Sequence, residues 1–288
     1  MIIEILKAIL FGLVEGVTEW LPVSSTGHMI LVEHWVSFAK TSEDFWKMFE
    51  VVIQLGAILA VVVIFWDKLW PWRIKNVKVK GKMAIEEKVV FKDGALDMWC
   101  KIIVACIPAA VVGIVFDDLI DRLFYHPVPV ALALIVVGVI FIIIETTSGQ
   151  KLPKINSISQ MSYSVVLLIG VAQTIAAVFP GTSRSGATII GALMLGVSRE
   201  VAAEFTFFLA VPVMFGASLL KAAKYVIKGM SMGATEWVIL LVGCLVAFFV
   251  SLFIINFLMR YIKEHDFKIF GWYRIALGIL VIVLLVVI

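Results

Sequence analysis

Between residue 47 and the C-terminus the chain passes six times through apolar stretches with almost no charge, and no other feature constrains its fold as strongly. "VVIQLGAILAVVVIFW" (51–66) and "VALALIVVGVIFIII" (130–144) are two of these runs. A run of about 20 apolar residues is long enough to cross the hydrocarbon core as a helix. In lipid each backbone N–H and C=O must find its partner internally, which leaves a helix as the form available to a single run. Spans are expected near 47–66, 102–116, 129–145, 201–224, 236–258 and 269–288, the second of them short and holding Pro108. Apolar residues make up 62% of the chain and charged residues 16%, with a mean hydropathy of +1.08. A soluble domain is nearer half apolar and a quarter charged. The fold class expected is an all-α polytopic membrane protein.

Two further apolar stretches, 5–38 and 162–196, are cut by proline and hydroxyl clusters. Each reads as a re-entrant pair of half-helices around a break. They are related: "GLVEGVTEWLPVSS" (12–25) aligns without a gap on "GVAQTIAAVFPGTS" (170–183), matching Gly12 with Gly170, Glu15 with Gln173, Pro22 with Pro180 and Ser25 with Ser183. Three spans follow each broken segment, and an odd number of spans per copy turns the second copy upside down. Two inverted-topology repeats are expected, 1–145 and 146–288, with their broken helices meeting near the bilayer midplane.

The linker 67–101 is the one soluble-looking segment and carries nine lysines and arginines. The alternation in "NVKVKGKMAIEEKVVFKDG" suits a small hairpin. The positive-inside rule places this linker in the cytoplasm. Alternating the spans from there puts 146–160 and 259–268 inside, and loops near 34–48, 117–128 and 226–235 outside with both termini. Lys221, Lys224 and Lys228 near an outer end run against the rule. The N-terminus lacks the basic leader and cleavage site of a removed signal peptide. Cys100, Cys106 and Cys244 show neither metal nor redox spacing. A net charge of +3 on 288 residues speaks against a nucleic-acid partner.

The chemistry concentrates at the two breaks. Glu15 and Glu19 stand four residues apart, on one face of a helix that Pro22 ends. Ser24, Ser25 and Thr26 sit where the N-cap of the next half-helix belongs, and His28 follows in its first turn. Free N–H groups at such a helix start favour an anion. At the second break, "GTSRSGAT" (181–188) supplies Arg184, a planar fork of donors suited to phosphate oxygens, with Ser183, Ser185 and Thr188 beside it. One break offers carboxylates, a histidine and nucleophiles, and the other a phosphate grip. Hydroxyls are common in membrane helices, so packing or capping is an equal reading for Ser24, Thr26, Thr182 and Ser185. Ionisable groups are costlier there, about 2.5–3.5 kcal/mol each on insertion scales. A salt-bridge network of Glu15, Glu19, His28 and Arg184 is the structural alternative to an active site. Gln54 and Glu204 are candidates for supporting residues, whereas His34, His126 and His265 read as loop residues. The tryptophans near span ends read as an interfacial belt.

At these residues the sequence resembles the bacitracin-resistance family of undecaprenyl-diphosphate phosphatases. "EGVTEWLPVSSTGH" (15–28) and "PGTSRSGAT" (180–188) are similar to that family's two long motifs, and "FEVVIQLG" (49–56) and "EFTFFLAVP" (204–212) add to the likeness. The resemblance implies an enzyme of the bacterial cytoplasmic membrane. It would release phosphate from undecaprenyl diphosphate, recycle the lipid carrier for peptidoglycan synthesis, confer bacitracin resistance, and open its site to the outer side. It implies a divalent cation, Mg or Ca, held by Glu15 and Glu19, or these two positioning the attacking group. Ser25 would be the nucleophile, with His28 as general acid or base. Arg184, Ser183 and Thr188, with Ser24, Thr26 and Ser185, would bind the diphosphate. Attack by an activated water, or by His28 itself, would use the same residues. The alternative function is a polyprenyl-phosphate flippase built on the same inverted-repeat site. Small-residue faces at Gly191, Gly196 and Gly216 suit packing within one chain or in a homodimer.

Overall fold

A computed structural model describes residues 1–39, 41–78, 85–147 and 152–287. The chain opens with α1 (Ile2–Thr18), a break, and α2 (Ser25–Trp35). A first rod follows, made of α3 (Glu43–Val52) and α4 (Gln54–Ile64) in line, and then the short α5 (Trp66–Leu69). A two-stranded hairpin, β1 (Trp72–Lys78) and β2 (Ile85–Phe91), precedes α6 (Ala95–Phe124) and α7 (Pro127–Thr147). The rest is α8 (Tyr163–Val178), a second break, α9 (Arg184–Met194), α10 (Arg199–Ile227), α11 (Ala234–Glu264) and α12 (Lys268–Ile282), which a π-helical turn prolongs over Val283–Val287. Six segments among the described residues are long and apolar enough to cross a membrane: Glu43–Ile64, Ala95–Phe116, Pro127–Thr147, Arg199–Ile227, Ala234–Glu264 and Lys268–Leu285. The protein is thus all-α and multi-pass, with the hairpin as its one sheet among the described residues.

The short span expected at 102–116 is instead the middle of a 30-residue helix that runs through Pro108. A proline removes one helical hydrogen bond, a loss that a membrane helix packed among neighbours tolerates. The helix also covers most of the loop expected at 117–128, because "FDDLIDRLF" holds no glycine or proline to stop it. The linker hairpin forms in an antiparallel register that pairs Trp72 with Phe91 and Lys78 with Ile85. Residues 79–84 of the expected hairpin lie outside the described residues.

Polar contacts sort the connections to two ends of the bundle. At one end, Lys228 pairs with Asp44, and Phe38 packs in one apolar cluster with Trp46 and Tyr225. At the other, Lys68 pairs with Glu204, Arg199 with Glu145, and Lys101 donates to the carbonyls of Ile158 and Ser159. Glu145 also accepts the backbone N–H of Phe267, fixing the start of α12 against the end of α7.

α7 and α12 approach each other closely, glycine against glycine. A methyl on Gly138 would lie 2.7 Å from the Gly271 carbonyl oxygen, and one on Gly271 would lie 2.8 Å from the Gly138 carbonyl oxygen. Backbones in contact leave no room for a side chain. Gly271→Val is expected to destabilise the fold by about 1–3 kcal/mol, read as a lower unfolding midpoint in detergent. Gly191 likewise meets Ala172, whereas Gly196 holds a φ of +79° after α9 and Gly216 faces open space.

Candidate active site

The two breaks share one local design. α1 ends at Thr18, but Glu19 keeps helical angles (φ −68°, ψ −40°), so its carboxylate stays on the face of Glu15. After the turn at 19–23, Ser24 takes a φ of +73° and its Oγ accepts the Gly27 N–H at 3.3 Å, capping α2. At the second break Ser183 takes a φ of +68° and its Oγ accepts the Gly186 N–H at 3.2 Å, capping α9. The caps match Ser24 with Ser183, which corrects the ungapped pairing of Ser25 with Ser183 by one residue. In each break the cap hydroxyl accepts the N–H three residues on, that of Gly27 in "SSTG" and of Gly186 in "SRSG", so the two strings match in that register.

The first helical residues are then Ser25 and Arg184, and both turn to Glu19. Ser25 Oγ donates to Glu19 Oε2 at 2.9 Å, and an Arg184 Nη donates to Glu19 Oε1 at 2.9 Å. The other Nη of Arg184 reaches the Thr206 carbonyl at 3.2 Å, while its Nε is buried without a hydrogen-bond partner. Ser185 Oγ donates to the Glu19 carbonyl at 3.1 Å, joining the breaks a second time. Thr188 is fully buried; it donates to the Arg184 carbonyl and accepts from Thr206 Oγ1 at 2.8 Å. Ser183 and Thr188 therefore hold the arginine's helix in place in this structure, and Ser24 is a cap.

Next to this cluster lies a cavity of about 770 Å³, lined at depth by Glu15, Ser25, Thr26, Glu50, Gln54 and Tyr125. Arg122, Lys221, Lys224 and Lys228 line it toward the bundle end where Lys228 meets Asp44. The lysines that ran against the charge rule are thus part of this cavity, which only the fold reveals. Glu15 is 1% exposed, and its Oε1 has no hydrogen-bond partner. Glu50 accepts the Tyr125 hydroxyl at 3.0 Å. Glu204, by contrast, pairs with Lys68 at the opposite end and does not belong to the site.

His28 points elsewhere. Its Nδ1 lies 2.7 Å from the Ser24 carbonyl, which can only accept, so Nδ1 carries the proton. Its Nε2 lies 2.7 Å from the Tyr273 hydroxyl, and the two rings stack at 5.6 Å. It is absent from the cavity lining among the described residues.

Sequence reasoning missed Arg274, the neighbour of Tyr273 on α12. It is fully buried and donates to the Pro22 carbonyl at 3.1 Å and to the Gly181 and Thr182 carbonyls at 2.8 Å each. One guanidinium thus ties both breaks together through their backbones. The signal available was an arginine inside an apolar span, "GWYRIALG", where insertion is costly.

Among the described residues no three His, Cys, Asp or Glu side chains gather as a self-contained metal site. The unpartnered Glu15 oxygen facing a cavity with Glu19 beside it does suit a hard cation of the Mg type. Such an ion takes one or two carboxylates and completes its shell with water and phosphate oxygens.

The sequence model of the family described as Bacitracin resistance protein BacA matches residues 8–280. The chain is 57% identical over 281 residues to undecaprenyl-diphosphatase 1 of Clostridium acetobutylicum, covering 98% of this chain and 97% of that one. It is 54% identical over 281 residues to the undecaprenyl-diphosphatase of Desulfitobacterium hafniense, covering 98% and 96%. The undecaprenyl-diphosphatase of Enterococcus faecalis is 52% identical over 282 residues, covering 98% and 97%.

Proposed function

The chain belongs to the bacitracin resistance protein BacA family, and on that premise we propose that it is an integral-membrane phosphatase that converts undecaprenyl diphosphate to undecaprenyl phosphate and inorganic phosphate. The observation that carries this reading is the convergence of Ser25 and Arg184 on the two oxygens of Glu19, beside a cavity whose outer lining mixes basic with acidic side chains. Each relative named above is called an undecaprenyl-diphosphatase, which supports the phosphatase and lends nothing to the flippase alternative.

In this reading Ser25 Oγ attacks the terminal phosphorus. An Oγ–P bond forms, the P–O bond to the prenyl phosphate breaks, and the Ser25 proton passes to Glu19 Oε2, already its hydrogen-bond acceptor. Arg184 aligns Glu19 through Oε1, and its unpartnered Nε would donate to a phosphate oxygen that reached it. Water then cleaves the phosphoserine and returns the proton. Ser25 is preferred to His28 as nucleophile because it lines the cavity and meets a carboxylate, whereas both His28 nitrogens are engaged away from it. His28 is better assigned to orienting α2 than to proton transfer. Glu15 and Glu19 would hold the divalent cation, which supplies charge neutralisation on the diphosphate. Thr26 and the free N–H groups at the starts of α2 and α9 favour the same anion.

The packing supports two inverted repeats. α1 packs on α11 as α8 packs on α6, α4 on α11 as α10 on α6, and α9 on α7 as α2 on α12. α7 packs on α12, the pair that would lie on the symmetry axis. With the basic linker in the cytoplasm, the cavity opens outward from the bacterial inner membrane, where the diphosphate would enter headgroup first.

Detergent-purified protein is expected to release phosphate from undecaprenyl diphosphate in a cation-dependent manner, measured with and without chelator. Arg184→Ala should lower turnover by roughly 10²–10³-fold. No release by folded wild-type protein would overturn the reading.

A further inference from the structure

We propose that the hairpin β1–β2 is a lipid-docking element, whose apolar face rests on the headgroup layer of a bilayer rich in anionic phospholipid. The proposal does not depend on the catalytic reading. Directly paired strand residues share a face, as do residues two apart. The register pairs Trp72 with Phe91 and Ile74 with Val89, so these four side chains form one face. All are exposed within the protein, from 46% for Trp72 to 71% for Val89.

That face continues the lipid-facing surface of a span. Leu59, Val63 and Trp66 are exposed at helical spacing down α4 and into α5. Trp66 stacks on Trp70 at 4.7 Å, Trp70 meets Trp72 edge-on at 5.3 Å, and Trp72 meets Phe91 at 6.0 Å. An unbroken aromatic strip therefore leads from hydrocarbon depth onto the hairpin. Water gives such a patch no reason to stay open, whereas the membrane interface is where tryptophan settles.

Charge selects the kind of lipid. Residues 67–101 hold nine of the chain's 24 lysines and arginines but five of its 21 acidic residues. The remainder of the chain is slightly acidic, so the whole positive excess lies on this linker. Arg73 is held to Asp93 and Lys68 to Glu204, which anchors the hairpin's root to α10. Basic residues next to a span are the sequence form of attraction to an anionic leaflet.

The test uses the full chain in nanodiscs, with Cys100, Cys106 and Cys244 replaced by serine or alanine. Single labelling sites Ile74→Cys and Val89→Cys report on the proposed face, and Val90→Cys on the opposite one. In phosphatidylglycerol-containing discs, the labels at 74 and 89 are expected to be quenched by headgroup-depth doxyl lipid and shielded from aqueous iodide. The label at 90 should remain open to iodide. Exchanging phosphatidylglycerol for phosphatidylcholine should weaken the lipid quenching at least two-fold. Equal iodide access at all three positions would overturn the proposal. Shielding without lipid quenching would overturn it too, since a protein would then cover the face. Equal quenching in both lipids would overturn the assignment to anionic lipid.

Discussion

Ser25→Ala is expected to lower the turnover of undecaprenyl diphosphate by roughly 10³-fold or more, equivalent to about 4 kcal/mol of transition-state stabilisation. The substitution removes one hydroxyl that donates to Glu19 Oε2 and leaves the Glu19–Arg184 pair in place. Its structural cost should be about 1–3 kcal/mol, the penalty of a buried acceptor that loses its donor, while the Arg184 pair stays in place. Activity and stability therefore separate in this variant, which makes it cleaner than Glu19→Gln. The latter would also strip Arg184 of its carboxylate inside the bundle, and breaking a buried pair costs about 3–5 kcal/mol. The measurement is phosphate release beside the unfolding midpoint in detergent. It is paired with mass spectrometry of acid-quenched wild-type protein for phosphate on the peptide containing Ser25. If Ser25→Ala retains more than about a tenth of wild-type turnover, activated water is the nucleophile and the serine only positions it.

Arg274→Met should be the most destabilising single change in the molecule. Methionine keeps the apolar length of the side chain but withdraws the donors from the carbonyls of Pro22, Gly181 and Thr182. Each buried carbonyl left without a partner costs about 1–3 kcal/mol, so a loss above roughly 3 kcal/mol is expected. Both breaks are held from this one point, so the loss should reach the site as well. The Ser25–Glu19–Arg184 geometry depends on two loops that meet through the guanidinium, and turnover should fall about 10²-fold even where the protein remains folded. Arg274→Lys should recover part of the stability, since an ammonium retains three donors without the planar fork. An unfolding midpoint and turnover equal to wild type in Arg274→Met would remove the arginine from this role.

Much of the architecture was legible in short stretches of chain. Six apolar runs announced six membrane-crossing helices, and the alternation near 76–94 announced a hairpin, because hydropathy and periodicity are properties of neighbouring residues. The breaks were legible too: proline, glycine and hydroxyl clusters at 22–26 and 180–185 interrupt helices by local sterics. The register between them was not. Counting from the prolines matches Ser25 with Ser183, whereas the caps match Ser24 with Ser183, and a backbone angle of +73° or +68° decides between them. The full length of α6 is hidden in the sequence for a related reason. Pro108 and the charges after Phe116 suggested boundaries, but a helix that leaves the membrane need not end there.

The sequence by itself determined that this chain lives in a bilayer, where its helices break, and that carboxylates, hydroxyls and an arginine gather at the breaks. Those facts follow from the cost of moving a residue from water into hydrocarbon, which each stretch incurs on its own. Only the tertiary structure decided which groups meet. Glu19 and Arg184 lie 165 residues apart and share a hydrogen bond. His28, though three residues from Ser25, turns to Tyr273. Arg274 leaves the least trace, because its partners are backbone carbonyls. Every residue has a carbonyl, so no pattern of side chains can mark which three an arginine will find.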